Sequence, residues 1–155
     1  MLKYFFDLPD FKIPLNICWF KTEWIKTKPG IYIGFHPEQS SIEQWMRDVF
    51  TRPPNYITLL KTNVGEDVPM HPDPTRNVVV NYVIQGYGGS RLDFGNRELT
   101  ETYATWTGRQ ALVNVKELHK PIATTEDRAV ISMCWNKPTV YEEILALAQA
   151  NELLK

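Results

Sequence analysis

His71-Pro72-Asp73, His119 some 48 positions after the first histidine, and Arg128 nine further on are the residues whose types and spacing could do chemistry. Two imidazoles and one carboxylate in the order His-x-Asp…His can occupy one face of an octahedral ion. The opposite positions stay open for reactants, which suits a non-haem Fe(II) centre. Extended backbone puts residues i and i+2 on one side, so His71 and Asp73 on a strand could reach the same ion. His119 must then come from a different strand, and the intervening chain is long enough for about four short strands and their turns. It is read as preceding a turn, in Leu118-His119-Lys120-Pro121.

Arg128 opens the run Arg128-Ala129-Val130-Ile131-Ser132-Met133-Cys134-Trp135, in which alternation places Arg128, Val130, Ser132 and Cys134 on one face. If that face looks inward, the guanidinium can hold a carboxylate through two parallel hydrogen bonds, with Ser132 as a further donor. An inward arginine is costly without an anion, so it implies a ligand. Facing outward, it would pair with Glu126 or Asp127 instead. Asn81 interrupts the apolar run Val78–Ile84, and Asn114 interrupts Ala111–Val115. A buried amide needs partners, which a bound cosubstrate or ordered water could supply. Either Asn81 or its neighbour Tyr82 faces the site, depending on strand parity. Arg76 and Arg91 are candidates to meet an anionic substrate. His36 is read as a polar junction residue before a helix, and Trp106 as core or turn packing. A lone His-x-acid pair arises by chance in roughly one such chain in three, so the weight rests on the ordered set.

The elements that must position these residues are mostly strands. Gly30–Phe35 reads as a strand, followed by a helix with a Ser40/Glu43 capping box and an apolar stripe of Ile42, Trp45, Met46, Val49 and Phe50. From Tyr56 to Trp135 the pattern is strand and turn: 56–60, the β-branched run 77–85, 90–94, 110–115 and 128–135. Gly86-Tyr87-Gly88-Gly89 is read as a hairpin turn, since no helix or lysine follows to make it a phosphate loop. A second capping box, Thr139/Glu142, opens a C-terminal helix over 139–154 with Tyr141, Ile144, Leu145 and Ala148 buried. Many short strands with Gly, Pro and Asn turns argue for an antiparallel jelly roll flanked by helices on one sheet. The expected organisation is a single domain over 1–155, with the barrel at about 56–135 and an N-terminal strand and helix at 30–50.

Seventeen Lys+Arg balance 18 Asp+Glu, and no basic run or basic-aromatic stripe is present, which disfavours nucleic acid as a partner. No stretch approaches the ~20 apolar residues needed to span a bilayer. A cytoplasmic setting, reducing enough to supply Fe(II), is the expectation. Cys18 and Cys134 lie in apolar runs and read as buried thiols. A Ser-His-Asp hydrolase has no nucleophile elbow to support it.

The run Met70-His71-Pro72-Asp73-Pro74-Thr75-Arg76-Asn77-Val78-Val79-Val80-Asn81-Tyr82-Val83, together with Ala111–Asn114, His119 and Arg128–Ser132, resembles the 2-oxoglutarate/Fe(II) oxygenases with a double-stranded β-helix, in particular the aspartyl/asparaginyl β-hydroxylase-like branch. The resemblance covers roughly residues 56–135. It implies a mainly β, cupin-like barrel in which His71, Asp73 and His119 bind Fe(II) and Arg128 binds the far carboxylate of 2-oxoglutarate. Asn81 and Ser132 would be lesser cosubstrate contacts. The implied reaction couples decarboxylation of 2-oxoglutarate to hydroxylation, with O₂ and a small-molecule, amino-acid or peptide substrate as partners. The usual Arg-x-Ser spacing is stretched here to Arg128 and Ser132, and the short chain has little room for a substrate-recognition insert. Two rivals stand beside this reading. One is a cupin-like dioxygenase or isomerase without 2-oxoglutarate, in which Arg128 grips an acidic substrate directly. The other is an inactive binding or structural barrel.

Overall fold

The computed structural model describes residues 2–8, 23–34 and 40–151. Its elements are β1 (Phe5–Asp7), β2 (Ile25–Lys28), β3 (Ile31–Gly34), α1 (Ser40–Phe50), β4 (Tyr56–Thr62), β5 (Arg76–Gln85), β6 (Ser90–Gly95), β7 (Thr102–Trp106), β8 (Gln110–Val113), β9 (His119–Ala123), β10 (Arg128–Asn136) and α2 (Tyr141–Ala150). Among the described residues the fold is mainly β, with antiparallel pairing throughout and two helices. Seven strands form one sheet in the order β1-β8-β5-β10-β4-β3-β2, and three form a second in the order β7-β6-β9.

The pairings are nested. β6 pairs with β7, β5 with β8, and β4 with β10, each antiparallel, while an isolated bridge joins His71 to His119. The chain folds back on itself around residues 96–101: β6 and β7 pair in the smaller sheet, while β5 and β8, and β4 and β10, pair in the larger. The four strands β5 to β8 lie between His71 and His119, the number the spacing predicted.

Both faces of the larger sheet are buried, which accounts for the near-continuous apolar run of β5. Val78, Val80 and Tyr82 pack with Ile131, Met133 and Trp135 of β10 against Met46, Val49 and Phe50 of α1 and Ile144 and Ala148 of α2. Val79, Val83, Val130 and Cys134 point the other way, toward Leu92, Phe94, Ala104 and Trp106 of the smaller sheet. Each fully buried Val, Leu, Ile, Phe or Met side chain among them contributes about 1.5–3 kcal/mol. The helices therefore cover the outside of one sheet, as expected, and the space between the sheets is left for the site. No helix among the described residues is long and apolar enough to cross a membrane.

Several expectations are corrected. The Gly86–Gly89 turn closes no hairpin: it carries the chain from β5 in one sheet to β6 in the other. His119 is the first residue of β9 and does not precede a turn. His71 and Asp73 are not in a regular strand, because Pro72 and Pro74 remove two ladder donors. Trp106 lies on β7, a strand the alternation did not reveal. α2 starts at Tyr141 with Val140 at the N-cap and no side-chain cap; Thr139 Oγ1 accepts a bond from Arg52 Nη1 at 3.5 Å instead. The α1 capping box involves Ser40, whose side chain lies outside the described residues, as do His36, Cys18 and the run 13–20.

Gly86 has φ +83°, and a Cβ there would sit 2.8 Å from Asp127 O and 3.2 Å from Arg128 Cα. Gly86→Ala should therefore cost about 1–3 kcal/mol. Urea unfolding should show a lower midpoint at unchanged slope.

Candidate metal centre

The segment before β5 is held extended from both sides. His71 N and O each bond His119 at 3.0 Å, and Asp73 N donates to Val115 O at 2.8 Å. Lys116 Nζ donates to Asp73 O at 2.9 Å. This fastening, and not a strand of its own, brings His71 and Asp73 to His119.

One donor atom from each of His71, Asp73 and His119 lies within 4.8 Å of the others. Asp73 Oδ1 is 3.7 Å from His71 Nε2 and 3.6 Å from His119 Nε2. Both rings use Nδ1 on a backbone carbonyl at 2.8 Å, Pro69 O for His71 and Glu117 O for His119. A neutral imidazole that donates from Nδ1 presents a lone pair at Nε2, the arrangement that orients histidine ligands in metal sites. Ligands bound at ~2.0–2.2 Å sit about 2.8–3.1 Å apart when adjacent on an octahedral ion, so the carboxylate–imidazole separations would close by roughly 0.5–0.9 Å on binding. The donor set fits a divalent cation. The cluster is also the right depth: Asp73 and His119 are buried, and His71 is half-buried.

Burial on its own would raise the Asp73 carboxyl, but the His119 ring and the charges of Arg76, His119 and His71 outweigh it and hold the group down at about 2. The carboxylate is thus ready as an anionic ligand at any physiological pH. Its other oxygen, Oδ2, is ion-paired with Arg76 Nη2.

The same cavity runs between the sheets to Arg128, lined on one wall by Tyr56, Thr58, Leu60 and Thr62 of β4 and by Val130 and Ser132 of β10. Register makes Thr58, Ser132 and Asn81 a row across three neighbouring strands, with Thr62 opposite Arg128. The parity question resolves in favour of Asn81: it lines the cavity, whereas Tyr82 packs on the helix side. Among the described residues, Thr58 Oγ1, Asn81 Oδ1 and Arg128 Nε are all buried without a hydrogen-bond partner.

Arg128 is 5% exposed and makes no ion pair among the described residues. Burial pushes its guanidinium down to about 10. The Trp106 ring, 5.8 Å away, gives it a cation–π contact and no counter-charge. Asp127, the outward alternative, accepts a bond from Val64 N at 2.9 Å instead.

Three other candidates fare differently. Ser132 Oγ lines the cavity but accepts a bond from Arg76 Nη1 at 3.3 Å. Asn114 is structural: its Nδ2 donates to Lys3 O at 3.0 Å and its Oδ1 accepts from Lys116 N at 3.3 Å. Arg91 pairs with Asp93 at 3.2 Å, outside the cavity. Arg76, a candidate to meet an anionic substrate, is ion-paired with Asp73 instead, a partnership that its i+3 spacing alone did not betray.

The class these features define is a mainly β protein with a buried His–Asp–His cluster that can hold a metal ion. No protein-family model matches the chain, and no curated protein matches it significantly.

Proposed function

We propose that this protein is an Fe(II)- and 2-oxoglutarate-dependent oxygenase built on a double-stranded β-helix, akin to the aspartyl/asparaginyl β-hydroxylase-like branch. The nested pairing of β4 with β10, His71 with His119, β5 with β8 and β6 with β7 supports that winding. The observation that carries the function is Arg128: a buried cation with no anionic partner among the described residues, in the same cavity as three converging metal donors. A ligand that satisfies both ends has a carboxylate for Arg128 and oxygen donors for a metal, which describes 2-oxoglutarate.

His71, Asp73 and His119 would hold the iron, leaving one face for cosubstrate and O₂. When bound, iron and 2-oxoglutarate supply the oxidising power for hydroxylation, with succinate and CO₂ as by-products. The chain's own residues bind and orient. Arg128 anchors the far carboxylate, and the unpartnered Thr58 and Asn81 offer polar contacts along the way. Leu60, Val79, Leu92, Val115 and Val130 form apolar walls that exclude water and side reactions. No side chain is needed as a general acid or base.

Anaerobic addition of Fe(II) and 2-oxoglutarate together should produce a visible metal-to-ligand charge-transfer band that neither gives alone. Metal binding without that band would overturn the 2-oxoglutarate assignment and favour a cupin-like enzyme whose acidic substrate sits on Arg128. Failure to bind any divalent metal would leave a binding or structural barrel.

A further inference from the structure

We infer that Arg76 is a positioning residue that occupies Asp73 Oδ2 and thereby presents a single carboxylate oxygen, Oδ1, to the metal. The inference rests on the metal reading of the site and adds to it the residue that keeps Asp73 to a single metal-facing oxygen.

The two oxygens of Asp73 are divided between different neighbours. Oδ1 lies 3.7 and 3.6 Å from the two imidazole Nε2 atoms, while Oδ2 is ion-paired with Arg76 Nη2. The guanidinium is itself fixed from behind, since Nη1 donates to Ser132 Oγ at 3.3 Å and to Cys134 Sγ at 3.7 Å. Ser132 and Cys134 stand on one face of β10, the central partner of β5, so a rigid strand backs the clamp. The Asp73 backbone is secured separately by Val115 O and Lys116 Nζ. The carboxylate therefore has little freedom to rotate both oxygens toward an ion.

That division has a coordination consequence. Carboxylates bind cations through one oxygen or two. On an octahedral ion, three single-atom protein donors leave about three positions, enough for a chelating ligand and one further reactant. A two-oxygen Asp73 would leave about two, and the third reactant would have no place. The planar fork of arginine suits this duty, because Nη2 lies in an ion pair with Oδ2 while Nη1 bonds Ser132 Oγ, which a lysine ammonium on a flexible stem does less well. Ser132 thus acts on the metal through Arg76.

The test counts exchangeable inner-sphere waters by water-proton relaxation on the Mn(II)-loaded protein without any organic ligand. Wild type should hold about three, and Arg76→Met about two, with relaxivity falling to roughly two-thirds. Arg76→Lys should recover most of the loss, and Ser132→Ala, which loosens the guanidinium without touching the carboxylate, should fall between wild type and Arg76→Met. Lys116→Met touches only the backbone and should keep the wild-type count. Arg76→Met with wild-type relaxivity overturns the clamp while leaving the metal reading intact. Should that variant fail to fold, a folded Ser132→Ala protein with wild-type relaxivity overturns it equally. A wild type that binds no Mn(II), Fe(II) or Co(II) overturns the metal reading, and the clamp with it.

Discussion

His119→Ala is expected to bind Fe(II), or Co(II) as an air-stable stand-in, more than about 100-fold more weakly than wild type. The magnitude follows from what the substitution removes. Loss of a mere hydrogen-bond partner behind a histidine ligand costs about 10–100-fold in metal affinity, and loss of the ligand itself exceeds that. His119 is the most enclosed of the two imidazole donors, fixed by Glu117 O on one ring nitrogen and facing Asp73 Oδ1 with the other. Its backbone also bridges His71, and alanine preserves that bridge. The metal-free variant should therefore lose only about 1–3 kcal/mol, chiefly from the unpaired Glu117 carbonyl and the space left by the ring. Isothermal titration under argon measures the first effect and urea unfolding the second. A variant that folds and binds metal with wild-type affinity would remove His119 from the centre.

Arg128→Met should act in opposite directions on stability and on ligand binding. Burial holds the guanidinium at about 10, well below the ordinary arginine range. A cation whose folded pKa is depressed opposes folding wherever it is charged in both states, which here means everywhere below about pH 10. The folded state recovers that stability only as pH rises above about 10 toward the ordinary arginine range, where the unfolded chain binds the extra proton. The shift corresponds to a cost of about 3 kcal/mol across neutral pH. Methionine has a similar reach, no charge and a flexible thioether that fills irregular space. Replacing the unpaired cation should stabilise the ligand-free protein by about 1–3 kcal/mol, after allowance for the lost contact with Trp106. For a chain of this size that is a rise in Tm of roughly 2–10 °C. The same variant should lose the thermal upshift that wild type shows with saturating metal and 2-oxoglutarate, since a ligand stabilises only the protein that binds it. An Arg128→Met protein that is less stable yet still shifted by 2-oxoglutarate would show that Arg128 faces no carboxylate.

Much of the candidate site was legible because it depends on short-range parity. Alternation along β10 placed Arg128 and Ser132 on one face, and the structure puts both on the cavity wall. Asn81 announced itself as the polar interruption of a valine run, and its register opposite Ser132 explains why both point inward. Asn114 gave the same signal but is consumed by Lys3 and Lys116, contacts that come from distant parts of the chain. Arg76 shows the converse failure. It stands three residues from Asp73, close enough to be noticed, yet nothing local distinguishes an arginine held by a metal-site carboxylate from one awaiting substrate. Thr58 was missed altogether because a threonine on a strand is unremarkable until its neighbours leave its hydroxyl unpartnered.

The strands followed the same division. The β-branched run of β5 and the alternating run of β10 carry their conformation in their own side chains, so both could be read off the chain. β9, whose second and third residues are Lys120 and Pro121, is a strand only because β6 and the His71 bridge pair with it. The Gly86–Gly89 turn fixes a change of direction, and only the partners of β5 and β6 decide that it leads to another sheet. Residue types alone therefore set the donors, the buried cation and the strand parity, all properties of a few adjacent side chains. Convergence of His71, Asp73 and His119, and the sharing of one carboxylate between two imidazoles and Arg76, were decided by pairing between segments far apart in the chain. Local preferences do not encode which segments meet, since that choice is made by the burial and hydrogen bonding of the whole fold.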